Sequence, residues 1–174
     1  MDLSNNEFGW QMRIGTDRVE DYPVPLLVVD TGIIVRAIGT SPYPECKRVV
    51  DLCIDGKITP CITEPIIHEY ELIINRKAVE EGVIFNQESH DLLAKFLARC
   101  LILTGYPINV PVQIEKDSSD YKFLIAQALA FEGTGRKCSI VSRDGHLLDL
   151  PHALEENIVR ADYFLYLFTN GLLA

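Results

Sequence analysis

Pro25-Leu-Leu-Val-Val-Asp30-Thr31 is the stretch around which the rest of this chain is organised. Residues 26–29 form a continuous apolar run, the pattern of a central strand that is buried on both faces. An aspartate follows at once, and burying it costs free energy unless a cation or hydrogen-bond donors meet the carboxylate. In open α/β sheets, ligands bind at this end of the strands. The stretch therefore predicts a buried parallel strand that ends at a binding site.

Length and cysteine content limit the class of protein. With 174 residues, 48% of them hydrophobic, the chain is long enough for one domain with a full core. No two of its cysteines are close enough for a Cys-x-x-Cys zinc or redox motif, and their odd number argues against a disulfide framework. We predict reduced, buried thiols. The cysteines are Cys46, Cys53, Cys61, Cys100 and Cys138.

The net charge of −9 makes the chain a poor general binder of nucleic acid, because an acidic surface repels phosphates. A nucleic-acid enzyme is not excluded, since each divalent metal returns two positive charges to a carboxylate site. No apolar run approaches the roughly 20 residues that span a bilayer, and the first residues lack the pattern of a signal peptide. We therefore expect a soluble, cytoplasmic protein with no membrane association.

Strand and helix patterns alternate along the chain. Strands are predicted at residues 26–29, 58–62, 108–110, 137–142 and 158–161. Helices are predicted at residues 45–52, 65–79, 87–103, 118–131, 145–148 and 163–168. This alternation implies βαβ units, so we predict a three-layer α/β/α sandwich with a mainly parallel central sheet. Residues 25–174 would form this domain, after an irregular N-terminal extension of residues 1–24.

Four acidic residues fall where solvent is not expected. Asp30 and Asp144 each follow a buried-type strand, and the carboxyl ends of parallel strands share one edge of a sheet. Glu69 and Asp120 lie on the apolar sides of their helices and can lean over that edge. Carboxylate oxygens are the ligands that Mg²⁺ and Mn²⁺ prefer. The four residues together predict a site for a hard divalent cation.

Each acid also has an interpretation without a metal. An aspartate after a strand is often a helix N-cap, which is as good an explanation of Asp144 taken alone. Asp120 taken alone could complement the dipole of its helix. Glu69 is harder to explain in this way, because a glutamate on an apolar helix face is rarely buried without a partner. The set of four is therefore more informative than any member.

Four short motifs occur in an order and spacing that resemble a known family. They are Val-Val-Asp30-Thr31, Thr63-Glu64-Pro65-Ile-Ile-His-Glu69, Asp117-Ser-Ser-Asp120-Tyr-Lys122-Phe-Leu and Val-Ser142-Arg143-Asp144-Gly-His-Leu-Leu. Over about residues 25–165 the chain resembles a PIN domain, most closely the branch of toxin components of toxin–antitoxin systems. The resemblance implies a metal-dependent endoribonuclease that cleaves single-stranded RNA, with Mg²⁺ or Mn²⁺ as cofactor and an antitoxin protein as partner.

The resemblance also implies roles for individual residues. The catalytic acids are Asp30, Glu69, Asp120 and Asp144, of which Asp30, Asp120 and Asp144 are the metal ligands. The supporting residues are Thr31, Asp117 and Ser142. Basic side chains near the same sheet edge are expected to guide the substrate phosphates, namely Arg36, Lys122 and Arg143. PIN-like domains commonly dimerise, and the apolar closing segment of residues 163–173 offers a surface for a homodimer.

Two departures from the family pattern favour an alternative. Gly32 stands where an Asn usually follows Asp-Thr, and Tyr121 stands where the acidic turn usually ends in Asp. The alternative is a catalytically weak or inactive PIN-like module that acts in protein or RNA binding. A third hypothesis is a phosphate-binding or receiver-like doubly wound domain. Receiver domains carry paired acids near the first strand and a lysine after a late strand, and this chain has neither.

Overall fold

The structure is a computed structural model that describes residues 12–14, 24–80, 84–110, 119–151, 153–155 and 157–173. In these ranges the strands are β1 (Met12–Ile14), β2 (Leu26–Val29), β3 (Thr59–Thr63), β4 (Leu101–Leu103), β5 (Cys138–Val141) and β6 (Ile158–Val159). The helices are α1 (Thr31–Ile38), α2 (Pro44–Ile54), α3 (Glu64–Glu80), α4 (Gln87–Arg99), α5 (Tyr121–Thr134), α6 (Gly145–Leu148) and α7 (Ala161–Thr169).

The strands form one sheet in the order β1-β4-β3-β2-β5-β6. Strands β2 to β6 are parallel, and β1 pairs with β4 antiparallel at the edge. From β2 the chain builds β3 and β4 on one side, and it then crosses to β5 on the other side. Such a reversal of strand order opens a crevice at the carboxyl ends of the strands, between β2 and β5.

Strand β2 is the centre of the core, as its apolar run predicted. Each of its four side chains is no more than 1% exposed. Helix α5 is apolar on nearly all sides and packs against β2, β3, β4 and β5, while α1 packs with α2, α3 and α4. The predicted α/β/α sandwich with a mainly parallel sheet is confirmed. All five cysteines are buried and free, which agrees with the prediction of reduced thiols.

The region after α4 differs from the prediction. The helix was predicted to run to about residue 103, but it ends at Arg99, and Leu101–Leu103 is the strand that pairs with β3. A short apolar run reads equally well as helix or strand, so the pairing partner decides. The strand predicted at residues 108–110 is not formed. Instead, the Glu132 carboxylate accepts hydrogen bonds from the Ile108 and Asn109 backbone N–H groups, at 2.8 and 3.1 Å.

Two further elements lie outside the predictions. Residues 31–38, for which no element was predicted, form helix α1 directly after Asp30. Met12–Ile14, in a segment that was predicted to be irregular, forms the edge strand β1. The boundary placed between residues 24 and 25 stays a prediction. Among the described helices, none combines the length and the apolar character that crossing a membrane requires.

Candidate functional site

The ends of β2 and β5 are tied together by one hydroxyl group. Val29 pairs with Val141, so Asp30 and Ser142 leave the sheet side by side. The fully buried Ser142 Oγ donates to Asp30 Oδ2 at 2.6 Å, and it accepts from the Asp144 backbone N–H at 2.9 Å. The backbone N–H of Asp30 donates to the Val141 carbonyl at 3.0 Å. Ser142 therefore sets the position of both strand-end aspartates.

Asp30 is the buried acid of the site, with only 6% of its surface exposed. Burial raises its pKa from 3.8 to about 6, an effect opposed by the Ser142 hydrogen bond and reinforced by Asp120, Asp144 and Glu69. Lost hydration, with the three neighbouring acids as a smaller contribution, thus disfavours the ionised form of Asp30. A bound cation would stabilise that form.

Glu69 is brought to the site by the buried face of α3. On that face, the fully buried Tyr70 donates its hydroxyl hydrogen to the Val29 carbonyl, which fixes α3 beside the end of β2. The neighbouring Glu69 is half-buried, and Thr31 Oγ1 donates to its Oε1 at 2.5 Å. The Lys122 ammonium contacts its other carboxylate oxygen. Glu69 therefore already has an ion-pair partner.

Asp120 and Asp144 face each other across the crevice with a histidine beside them. Asp120 precedes α5, is 7% exposed and makes no capping bond, and burial followed by the charge of Asp144 raises its pKa. Asp144 accepts a hydrogen bond from the His146 backbone N–H at 2.9 Å, so it does cap α6. His146 Nδ1 lies 3.7 Å from Asp120 Oδ2 and 3.9 Å from Asp144 Oδ1. Asp144 can therefore cap α6 and belong to the candidate site at the same time.

His146 is a site residue that the sequence patterns did not single out. Asp120, Asp144 and His146 each offer a ligand atom, and these atoms lie within 4.8 Å of one another. The histidines of the chain show no zinc-ligand spacing. The signal that the sequence does offer for His146 is its position two residues after Asp144. Carboxylate oxygens suit a divalent cation such as Mn²⁺ or Mg²⁺, whereas an imidazole nitrogen is a ligand that other divalent metals such as Zn²⁺ prefer. The two carboxylates therefore fit the metal that the resemblance implies.

An open cleft of about 1220 Å³ surrounds these acids. All four predicted catalytic acids line it: Asp30, Glu69, Asp120 and Asp144. Thr31 and Gly32 also line the cleft, and a Cβ on Gly32 would lie 3.7 Å from Asp30 Oδ2. A side chain at position 32 therefore has room and would point at the buried acid.

The predicted substrate contacts fall into two groups. Arg36 and Arg143 lie in one wall of the cleft, and each guanidinium carbon is 4.6 Å from the centre of the Tyr43 ring. Lys122 also lines the cleft, but its ammonium is held by Glu69. Tyr43 is a second residue that the sequence did not indicate. Two cations on one exposed aromatic ring are visible only in three dimensions.

The predicted acidic turn has two further positions, Asp117 and Tyr121. Asp117, predicted to be a supporting residue, lies outside the described residues. Tyr121, which replaces the last acid of the family's acidic turn, does not line the cleft. Its hydroxyl is 3.2 Å from the hydroxyl of Tyr106. Tyr121 therefore contributes no ligand to the site.

The chain was compared with protein families, with curated proteins and with solved structures. A family model described as PIN domain matches residues 26–146. One similar solved structure is the crystal structure of VapBC2 from Rickettsia felis bound to a DNA fragment from their promoter. It has a TM-score of 0.45 and 15% sequence identity, over 78% of this chain and 97% of that chain. No curated protein matches in sequence. The family match spans most of the chain, including the four acids, and this chain belongs to the PIN domain family.

Proposed function

We propose that this protein is a Mg²⁺- or Mn²⁺-dependent endoribonuclease that cleaves single-stranded RNA. PIN domains are generally metal-dependent nucleases, and membership of the family supports nuclease chemistry. The observation that carries the proposal is the convergence of Asp30, Glu69, Asp120 and Asp144 on one cleft at the switch point of the sheet. Four acids from four separate segments are expensive to bring together unless a cation stabilises them.

The roles of the acids follow from their surroundings. We place the cation at Asp120 and Asp144, which His146 is close enough to join, and we keep Asp30 as the third carboxylate. Among the described residues, Asp120, Asp144 and His146 form the group with ligand atoms within 4.8 Å of one another, and Asp30 lies outside it. A divalent cation there supplies Lewis-acid chemistry, since it stabilises the charge that develops on the reacting phosphate. Glu69, which is already paired with Lys122, would help Asp120 to orient the attacking water.

The supporting residues act by orientation. The Ser142 hydroxyl donates to Asp30 and accepts from the Asp144 backbone, so the two carboxylates keep a fixed spacing. The Thr31 hydroxyl donates to Glu69 Oε1 and so orients that carboxylate. Such hydrogen bonds to ligating carboxylates typically change metal affinity or activity by about 10- to 100-fold. The hydroxyl groups therefore belong to the proposed machinery although neither has to bind metal.

Positive charge in the cleft walls supports an RNA substrate. The chain as a whole repels phosphates, but Arg36, Arg76 and Arg143 line the same cleft as the acids. A backbone guided by the walls would bring a phosphate to the acids. This arrangement suits a flexible single strand that can enter an open cleft.

The biological setting we propose is that of a toxin. The motifs around Asp30 and Asp144 resemble the toxin branch of the family, and this supports an antitoxin protein as partner. Exposed apolar side chains at Leu72 and Ile84 line the cleft and offer a surface that a protein segment could cover. We further propose a homodimer through residues 163–173 and a location in the cytoplasm.

The test is cleavage of single-stranded RNA by charge-removing variants. Asp30→Asn and Asp144→Asn are each expected to lower the initial rate by more than about 100-fold, because a lost ligand should exceed the effect of a lost orienting group. Asp51→Asn is the matched control, since Asp51 pairs with Lys47 on α2 outside the cleft. Circular dichroism establishes that each variant is folded. Retained cleavage by a folded Asp30→Asn protein would overturn the proposal.

A specific contact favours the binding module as second candidate. The Lys122 ammonium on Glu69 already neutralises one of the four acids, and Gly32 leaves the space beside Asp30 unfilled. If the protein is a binding module, it should bind RNA but show no detectable cleavage at any concentration of Mn²⁺. Measuring binding and cleavage on the same oligonucleotide distinguishes the two candidates.

A further inference from the structure

Tyr43 is held rigidly at the rim of the cleft. Pro42 and Pro44 flank it and restrict the backbone on both sides. Its backbone N–H donates to the Arg36 carbonyl at 2.9 Å, and its carbonyl accepts from the Lys47 N–H at 2.9 Å at the start of α2. The residue is 41% exposed, so its ring is available to neighbours and to solvent. The backbone of Tyr43 is therefore restrained on both sides, and this places the ring at the rim of the cleft.

Two arginines from distant parts of the chain meet on this ring. Arg36 comes from the last turn of α1, and Arg143 directly precedes the site residue Asp144. Each guanidinium carbon is 4.6 Å from the ring centroid, a distance at which cation–π attraction acts. A guanidinium that contacts a ring through its face keeps its N–H donors in the plane available for a phosphate.

The charge around this pair is incompletely balanced. The two guanidinium groups repel each other, and among the described residues Glu45 is the carboxylate in contact with them, with Oε1 3.8 Å from Arg143 Nη1. Both arginines are exposed and both line the cleft that contains the acids. An anion beside the pair would relieve the repulsion, and a phosphodiester offers two charged or polar oxygens to two planar donors.

We propose that Arg36, Tyr43 and Arg143 form a phosphate-binding station for a nucleotide that flanks the scissile phosphate. Tyr43 is the positioning residue, because it holds both guanidinium groups in place without touching the RNA itself. This inference rests on the proposed ribonuclease function and identifies where the substrate backbone is held. The position of Arg143 next to Asp144 fixes the distance between the station and the acids.

The experiment measures binding of a short labelled oligouridylate to the Asp30→Asn protein in Mg²⁺, as a function of KCl concentration. Tyr43→Leu is expected to weaken binding by about 5- to 10-fold, because the cation–π contacts are lost. Tyr43→Phe retains the ring and is expected to restore most of the affinity. Arg36→Gln and Arg143→Gln should each reduce the slope of log affinity against log salt by about 0.7.

A double-mutant comparison tests whether Tyr43 acts through the arginines. In a protein that carries both Arg36→Gln and Arg143→Gln, Tyr43→Leu is expected to weaken binding by less than about 2-fold. The matched control is Tyr166→Leu, an exposed tyrosine of α7 that does not line the cleft. Thermal melting establishes that all variants are folded.

The outcomes separate this inference from the ribonuclease proposal. Unchanged binding by Tyr43→Leu overturns the phosphate station, even if the wild-type protein cleaves RNA. A full loss that persists without the two arginines also overturns it, because Tyr43 would then contact the RNA directly. If the Tyr43 and arginine effects are found but the wild-type protein cleaves no RNA, the station stands and the ribonuclease proposal fails.

Discussion

The ends of β2 and β5 look alike in sequence, but the aspartates that follow them differ in burial and in their effect on stability. Each strand is a buried run of four residues, and each is followed by an aspartate within three positions. Asp30 is 6% exposed and has a pKa near 6, whereas the Asp144 side chain is 45% exposed and caps a helix. The same pattern thus yields Asp30, whose charge destabilises the folded protein when no cation is bound, and Asp144, whose charge stabilises it.

The difference arises from position in the sheet. Strand β2 lies in the middle, between β3 and β5, and helix α1 begins directly after Asp30. The Asp30 carboxylate therefore has protein on most sides. Asp144 is carried two residues beyond Ser142, far enough from the sheet to reach solvent and the N-terminus of α6. The distance of each carboxylate from its strand end therefore decides how much hydration that carboxylate loses on folding.

The largest expected effect is a gain in stability on removing the Asp30 charge. The pKa of Asp30 is about 6 in the folded protein, above the ordinary aspartate value of 3.8 that applies to the unfolded chain. The free energy of unfolding therefore falls as pH rises between these values. At pH 7 without divalent metal, Asp30→Asn should be more stable by about 3 kcal/mol, since each pKa unit corresponds to about 1.4 kcal/mol. The amide oxygen of Asn can still accept the Ser142 hydrogen bond. Urea unfolding at pH 7 measures the difference.

The control for this prediction is the same measurement below pH 3.8. There Asp30 is protonated in both the folded and the unfolded chain, so the advantage of Asp30→Asn should vanish. An advantage that is equal at both pH values would mean that packing rather than charge explains the variant.

Divalent metal should remove most of the stability difference between the two proteins. A cation that binds only the folded state at 100 times its dissociation constant adds about 2.7 kcal/mol to the free energy of unfolding. We expect Mn²⁺ to stabilise the wild-type protein by about this amount and the Asp30→Asn protein far less. Thermal melting over a Mn²⁺ titration measures both. Equal shifts in the two proteins would place the cation away from Asp30.

Ser142→Ala should disturb both strand ends at once. It removes a charge-assisted hydrogen bond to Asp30 and an acceptor for the Asp144 N–H, so we expect a loss of about 2 kcal/mol at pH 7. The loss should be smaller at pH 4, where Asp30 is protonated. Urea unfolding at the two pH values checks this. Ser139→Ala, on the same strand but away from the cleft, serves as control.

Asp144→Asn should have the opposite sign from Asp30→Asn and a smaller size. Asp144 caps α6, and its charge complements the helix N-terminus, so we expect a loss of up to about 1 kcal/mol. Urea unfolding at pH 7 without metal compares the two Asn variants directly. A gain in stability for both would show that mutual repulsion of the acids outweighs the capping contact.

The smallest expected effect is a gain in activity at position 32. A side chain there starts 3.7 Å from Asp30 Oδ2, so the amide of Gly32→Asn can donate to the buried acid. We expect cleavage to rise by about 2- to 5-fold, the lower part of the range of one net hydrogen bond. Gly32→Ala fills the same space without a donor and separates size from hydrogen bonding. An equal rise in both variants would exclude the polar contact as the cause.

Much of the fold was predictable because local patterns and tertiary structure agree. The apolar run of β2, the amphipathic pattern of α4 and the glycine that ends α5 each specify their element locally. The errors fall where local signals are weak. Residues 101–103 are apolar enough for either helix or strand, and their pairing with β3 decided the outcome. Residues 12–14 form a strand by pairing with residues that lie far ahead in the chain.

The sequence alone indicated that Asp30 would end a buried central strand, because the apolar run between Pro25 and the acid has only four residues, a usual length for a strand but too short for a buried helix. It also indicated the acids that line the cleft, through motif order and through carboxylates on apolar helix faces. Only the tertiary structure decided that Lys122 neutralises Glu69, that His146 joins Asp120 and Asp144, and that Tyr43 holds two arginines. The physical reason is that these contacts join side chains from different elements, and their energies depend on distances and burial that folding sets.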